Sequence, residues 1–68
     1  MNLELLREIR KSKNVTQEQM AEYLGYKSKS AYCNLETGVV KISTEAATKI
    51  AAKLEMTPEQ KLAVFLPD

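Results

Sequence analysis

Between Thr16 and Gly38 the chain reads TQEQMAEYLGYKSKSAYCNLETG, and no other stretch narrows the possible folds as much. Thr16 can accept a hydrogen bond at a helix start while Gln19, three residues on, reciprocates, which makes a capping box. Met20, Ala21 and Leu24 recur at helical spacing as an inward stripe, and Ala21 is small where two helices must approach closely. Gly25 suits the left-handed conformation that ends a helix. A further helix is expected after Ser28 as N-cap, running to about Thr37 with Gly38 as its stop. Two short helices about a glycine-centred corner, spanning residues 16–38, leave the flanking segments the task of supporting them.

On a helical wheel Lys29, Ser30, Cys33, Asn34 and Thr37 fall within roughly 140° of one another, while Ala31, Tyr32 and Leu35 take the opposite arc. The outward face is polar and free of acid. No acidic residue occurs between Glu22 and Glu36, and Lys27 and Lys29 lie in that gap. A net charge of +1 is mild beside the basic footprint usual for a nucleic-acid binder. Local distribution matters more than the sum, so the gap reads either as a phosphate-attracting patch or as an ordinary solvated face.

The supports follow in order. Residues 2–12 read as a first helix, with Asn2 as N-cap and Leu3, Leu6 and Ile9 on one face. Arg10 falls on that same face, where an unpaired buried charge is costly. Glu36, at the margin of the third helix beside Tyr32, is its obvious mate; the alternative is that the Arg10 stem packs while its guanidinium reaches water. Asn14 suits a helix end. A fourth helix is expected after Ser43, with Ala46, Ala47, Ile50, Ala51 and Leu54 inward. A fifth opens at Thr57-Pro58, with Gln60 completing another capping box, and the spacing predicts Leu62, Phe65 and Leu66 as its stripe with Val64 on the other side. Pro67 and Asp68 are expected to end it.

Taken together, residues 1–68 are expected to form one all-α domain of limited core. The single Cys33 and the absence of His exclude a disulfide framework and a zinc site, so no metal or cofactor is expected. The start MNLELLREIRKS alternates charged and apolar residues and is neither a signal peptide nor a span, which points to a reducing cytoplasm. Catalysis is not expected: there is no His, no Cys-based dyad and no acidic cluster, and GYKSKS lacks the second glycine and the GK[ST] ending of a phosphate loop. A small-molecule substrate is likewise not expected. The chain also looks too short to carry an effector module.

Gln17-x3-Ala21-x3-Gly25, followed by Tyr32 and by Leu35-Glu36-Thr37-Gly38, resembles the helix-turn-helix domain of the Cro and lambda-repressor-like (Xre) family. Leu6-x2-Ile9-Arg10 is similar to that family's first helix, and the resemblance extends to about Leu66. It implies a five-helix lambda-repressor-like domain with a recognition helix at about 29–37, bacterial or phage-encoded, acting near the nucleoid on double-stranded operator DNA, as phage Cro-type repressors do. It also implies that Gln17 contacts a phosphate, that Lys29, Ser30 and Asn34 read bases, and that Arg10 and Glu36 form an ion pair. Homodimerisation on an inverted repeat follows from the short reading helix, with half-sites about 34 Å apart.

Around that frame several roles stay open. Lys29 can donate to guanine or sit on a phosphate. Cys33 is either a contact for a thymine methyl or an exposed thiol. Tyr26 and Lys27 can reach phosphates, although Tyr26 can instead cover the corner of the core. Ser28 is an N-cap or a phosphate donor, and Thr37 closes the face as a phosphate contact. The span from Gly25 to Glu36 is one residue longer than the commonest family form, so register at Lys27, Ser28 and Lys29 can slip. After Gly38 the loop reads Val39-Val40-Lys41-Ile42, where many relatives place basic residues; Lys41 alone keeps a phosphate role. Val39, Val40, Ile42 and Val64 are the expected dimer surface, or else the loop tucks Val40 or Ile42 beneath the fourth helix. The competing function is a protein-interaction module, such as the antitoxin of a two-gene system, using those same residues.

Overall fold

The computed structural model describes residues 1–66, which form helices α1 (Leu3–Ser12), α2 (Gln17–Leu24), α3 (Lys29–Glu36), α4 (Thr44–Lys53) and α5 (Pro58–Phe65). Pro67 and Asp68, expected to end the last helix, lie outside the described residues. Local chemistry starts four of the five helices. Asn2 Oδ1 accepts from the Leu5 N–H at 3.0 Å, and Ser43 Oγ accepts from the Ala46 N–H at 3.1 Å. Thr16 with Gln19 and Thr57 with Gln60 complete reciprocal capping boxes, the second with Pro58 in the first turn. Each satisfies N–H groups that the first turn leaves without helical partners.

Leu6, Met20, Tyr32, Ile50, Leu54 and Val64 are fully buried and draw residues from all the helices into one core. The second helix, α2, packs against α3 and α4, while α1 reaches α3 and α5. Ala21 is buried as the close approach requires, and Gly25 turns the chain between α2 and α3 at φ +81°. Gly38 turns it after α3 at φ +84°, where an added Cβ would sit 3.3 Å from Leu3 Cδ1. The loop beyond α3 is therefore closed down on α1.

The fifth helix corrects the sequence expectation. Val64 is fully buried, while Leu62 and Leu66 are about half exposed and Phe65 is partly buried. On the wheel Leu62, Phe65 and Leu66 fall within about 100° of one another, and their number favours that face over the one that holds Val64. Packing selects the latter: the Asn2 N–H donates to the Val64 carbonyl at 2.8 Å and fixes α5 against the chain start. Val64 is thus part of the core and is withdrawn from any dimer surface. Ile42, 6% exposed, is withdrawn for the same reason, since it anchors the loop beneath the helices.

Among the described residues, two without the freedom of glycine hold positive φ: Asn14 at 58° and Glu55 at 51°. The asparagine tolerates this conformation, whereas the glutamate, just past α4, carries the steric cost of a side chain there. Gly25 and Glu55 therefore respond oppositely to exchange. Urea unfolding is expected to show Gly25→Ala destabilised by about 1 kcal/mol, although no atom obstructs its new Cβ within 4 Å. Glu55→Gly is expected to gain up to about 1 kcal/mol.

Candidate nucleic-acid interface

Along α3, Lys29, Ser30 and Thr37 are exposed, and Cys33 and Asn34 are half-buried. Ala31, expected to face inward, is only half-buried and stands outside the core. The three-residue run Lys29, Ser30, Ala31 thus presents the start of the helix to solvent. Ser28 occupies the N-cap position in an extended conformation, yet its side chain makes no capping hydrogen bond. Its hydroxyl stays available to an external acceptor. The first turn of α3 contains no acidic residue, so nothing there offsets the partial positive charge of the helix start.

The surroundings are less basic than the linear sequence suggests. Lys27, Ser28 and Lys29 share a shallow cleft with Tyr26 and with Glu18 and Glu22 of α2. Folding brings these carboxylates beside the stretch that the sequence shows free of acid, although no ion pair joins them to the lysines among the described residues. Tyr26 packs against the core and covers the corner. Lys41 is exposed beyond α3. The Thr37 hydroxyl donates to the Cys33 carbonyl at 2.9 Å, which leaves it an acceptor only, and a phosphate oxygen needs a donor.

Behind the face lies a buried polar cluster. Arg10 donates from Nε to Glu36 Oε2 at 2.8 Å and from Nη2 to Oε1 at 3.0 Å, a bidentate pair. Its Nη1 donates to the Val15 carbonyl at 2.7 Å, which ties the segment between α1 and α2 to the same guanidinium. Arg10 is 6% and Glu36 1% exposed. Gln17, the first residue of α2, donates from Nε2 to Glu36 Oε1 at 3.2 Å. One amide N–H of this expected phosphate contact is therefore engaged internally and one remains. Arg7, not foreseen as part of the site, brings its Nε to 3.9 Å from Glu36 Oε1 with a half-exposed side chain. The signal for it was its position three residues before Arg10, on the same side of α1.

Burial pushes the Glu36 carboxyl up, but the Arg10 hydrogen bonds and charge, aided by Tyr32 and Gln17, outweigh it and hold the group below the ordinary glutamate range. The Tyr32 hydroxyl, fully buried, lies near that carboxylate without completing a hydrogen bond to it. Burial first, and then the neighbouring Glu36 carboxylate, push the phenol far above its usual range, so it stays protonated.

At the loop after α3, Val39 is 74% and Val40 47% exposed. Val40 rims an apolar groove that Met1, Leu3, Leu35 and Phe65 also line. Its N–H donates to the Asn34 carbonyl at 3.0 Å, so this loop is continuous with the end of α3. Among the described residues no helix is long and apolar enough to cross a membrane, and no group of side chains is arranged to hold a metal ion.

A family model described as helix-turn-helix matches residues 6–62. No curated protein matches the chain, and no solved structure does.

The sign of the pH dependence separates the paired from the unpaired carboxylate. Glu36 has a depressed folded value, so its stabilisation is present in full above the unfolded glutamate range, about 4.3, and is lost as pH falls toward the folded value. Arg10→Met strands the buried carboxylate and is expected to cost about 3–5 kcal/mol near neutrality. Glu36 then becomes easier to protonate folded than unfolded, so the variant should recover part of its loss as pH is lowered from 7 toward 5. Denaturant titrations across that range check both the loss and the reversed slope.

Proposed function

The chain belongs to the Cro and lambda-repressor-like (Xre) helix-turn-helix family of DNA-binding regulators, and on that premise we propose that it is a small transcriptional repressor that reads an inverted-repeat operator as a homodimer. The observation that carries this reading is the α3 face: Lys29, Ser30 and Asn34 stand together, clear of acid and of bulky apolar groups on that helix. Inserted in the major groove, Asn34 pairs with adenine and Lys29 with guanine, while Ser30 and the Cys33 side chain contact neighbouring edges, the latter a thymine methyl. Lys27, Ser28, Gln17 and Lys41 take phosphates, and these contacts set affinity and register without reading sequence. Tyr26 borders them from the corner of the core.

The dimer is assigned to the loop after α3. Val39 and Val40 are large apolar side chains left in water beside an apolar groove, and burial of each against a second copy gains about 1.5–3 kcal/mol at most. A two-fold interface uses the same patch on both subunits. It would carry the two recognition helices at a fixed separation because the loop continues from α3. Repression then follows from occupancy, in the cytoplasm, of DNA that polymerase or a competing regulator needs. The same exposed valines favour a second reading, a protein-interaction module whose partner covers them.

Selection from a random duplex pool distinguishes the readings. The expected product is an inverted repeat, and Asn34→Ala should relax preference at one position per half-site, a loss of about 1–3 kcal/mol in discrimination. Absence of any enriched sequence would favour the interaction module. Sedimentation equilibrium of Val39→Asp with Val40→Asp is expected to show a shift toward monomer.

A further inference from the structure

The second helix, α2, carries its acidic residues against two local rules. Glu18 and Glu22 are both exposed and stand four residues apart, a like-charge spacing that works against a helix. Glu22 also falls in the last turn, which holds no basic residue, and its own carbonyl accepts from the Gly25 N–H at 3.1 Å. That end of a helix disfavours an anion. The fourth helix shows the ordinary arrangement, since Glu45 has Lys49 at the same spacing and 3.6 Å away. Neither Glu18 nor Glu22 forms an ion pair among the described residues. Lys53, which shares a second cleft with Glu22, stands over the Tyr23 ring at 5.5 Å instead. Departures from local rules that bring no packing return are expected where function requires them.

What the two carboxylates share is the cleft before α3. Lys27, Ser28 and Lys29 line it with them, and Lys29 meets both again in the wider cleft beside Gln17. A phosphate drawn to Lys29 therefore enters the field of two anions as well as that of two cations. The edge of a guanine enters the same field as a neutral acceptor. Charge opposes the first far more than the second. Phosphate contacts at Lys27 and Ser28 are weakened alike on any duplex, so they cancel when sequences are compared. Lys29 alone changes its partner between a matched and an unmatched site.

We infer that Glu18 and Glu22 are specificity-determining residues, which weaken the hold of Lys29 on backbone phosphate and so leave it to a base edge. This rests on the DNA-reading function proposed above and deepens it, since it assigns discrimination to side chains that touch no base. Non-specific binding is carried almost wholly by phosphates. It is the mode that the two carboxylates suppress.

The test measures Kd of the full chain for the duplex recovered by selection and for a scrambled duplex of the same length and composition, at one low salt concentration. Wild type is compared with Glu22→Gln and with the double variant Glu18→Gln, Glu22→Gln, each also combined with Lys29→Gln. The double variant is expected to gain about tenfold on the scrambled duplex and only about threefold on the selected one, with Glu22→Gln giving part of each gain. In the Lys29→Gln background the two gains should be equal. Melting temperatures of the glutamine variants should be unchanged or slightly raised, because the like-charge pair is removed. Three results would overturn the assignment and leave the DNA-reading function standing: equal gains on both duplexes with Lys29 present, no gain on either, or a differential gain that survives Lys29→Gln. If wild type selects no duplex, the DNA-reading function fails and the assignment fails with it.

Discussion

Arg10 and Glu36 form the contact on which the geometry of the molecule depends. The pair joins the end of α1 to the end of α3, and the third guanidinium donor holds the Val15 carbonyl in the segment that leads into α2. Gln17 adds a bond from the first turn of α2 to the same carboxylate. Three helices thereby meet at one buried carboxylate. Desolvating two ions offsets much of their attraction, and replacement of such a pair by well-packed apolar groups is often neutral or stabilising. Its contribution is therefore to orientation: apolar contacts tolerate small rotations of α3, whereas a bidentate fork constrains them.

The apolar core supplies cohesion around that fixed point. Met20, Tyr32, Ile50 and Leu54 fill the space between α2, α3 and α4, and α5 closes the open side of α1 through Val64. A chain of 68 residues has little surplus burial, so the helix caps and the two left-handed glycines contribute a substantial share of its specification. The exposed valines after α3 are apolar surface left outside this core. That surface adjoins α3, where association between subunits would set the spacing of two such helices.

Features decided within a few residues were legible in the sequence. Asn2, Thr16 with Gln19, Ser43 and Thr57 with Gln60 cap their helices because donor and acceptor are only three residues apart. The turn at Gly25 was legible because few residues other than glycine adopt its conformation readily. Arg10 was legible for a different reason: a cation on an apolar face demands a partner, and Glu36 stood on the side that turns toward it. Ser28 shows the limit of local reading, since the right residue at the right place makes no capping bond. The buried face of α5 was misread because the wheel favours the three apolar residues that share one arc, while tertiary packing buries the lone Val64 opposite them. The approach of Glu18 and Glu22 to the lysines before α3, and of Arg7 to Glu36, depends on how separate helices cross, which no single helical wheel contains.

The most direct test of the central claim replaces both ions together. An Arg10→Met, Glu36→Leu variant keeps similar volume and strands no charge, so it is expected to melt within a few degrees of wild type. Its affinity for the selected duplex, measured by fluorescence anisotropy, is the decisive quantity. If the pair orients α3 and positions Gln17, the variant should remain folded and lose affinity by tenfold or more. A variant that melts like wild type and binds the duplex equally well would contradict the account, because hydrophobic packing alone would then place α3.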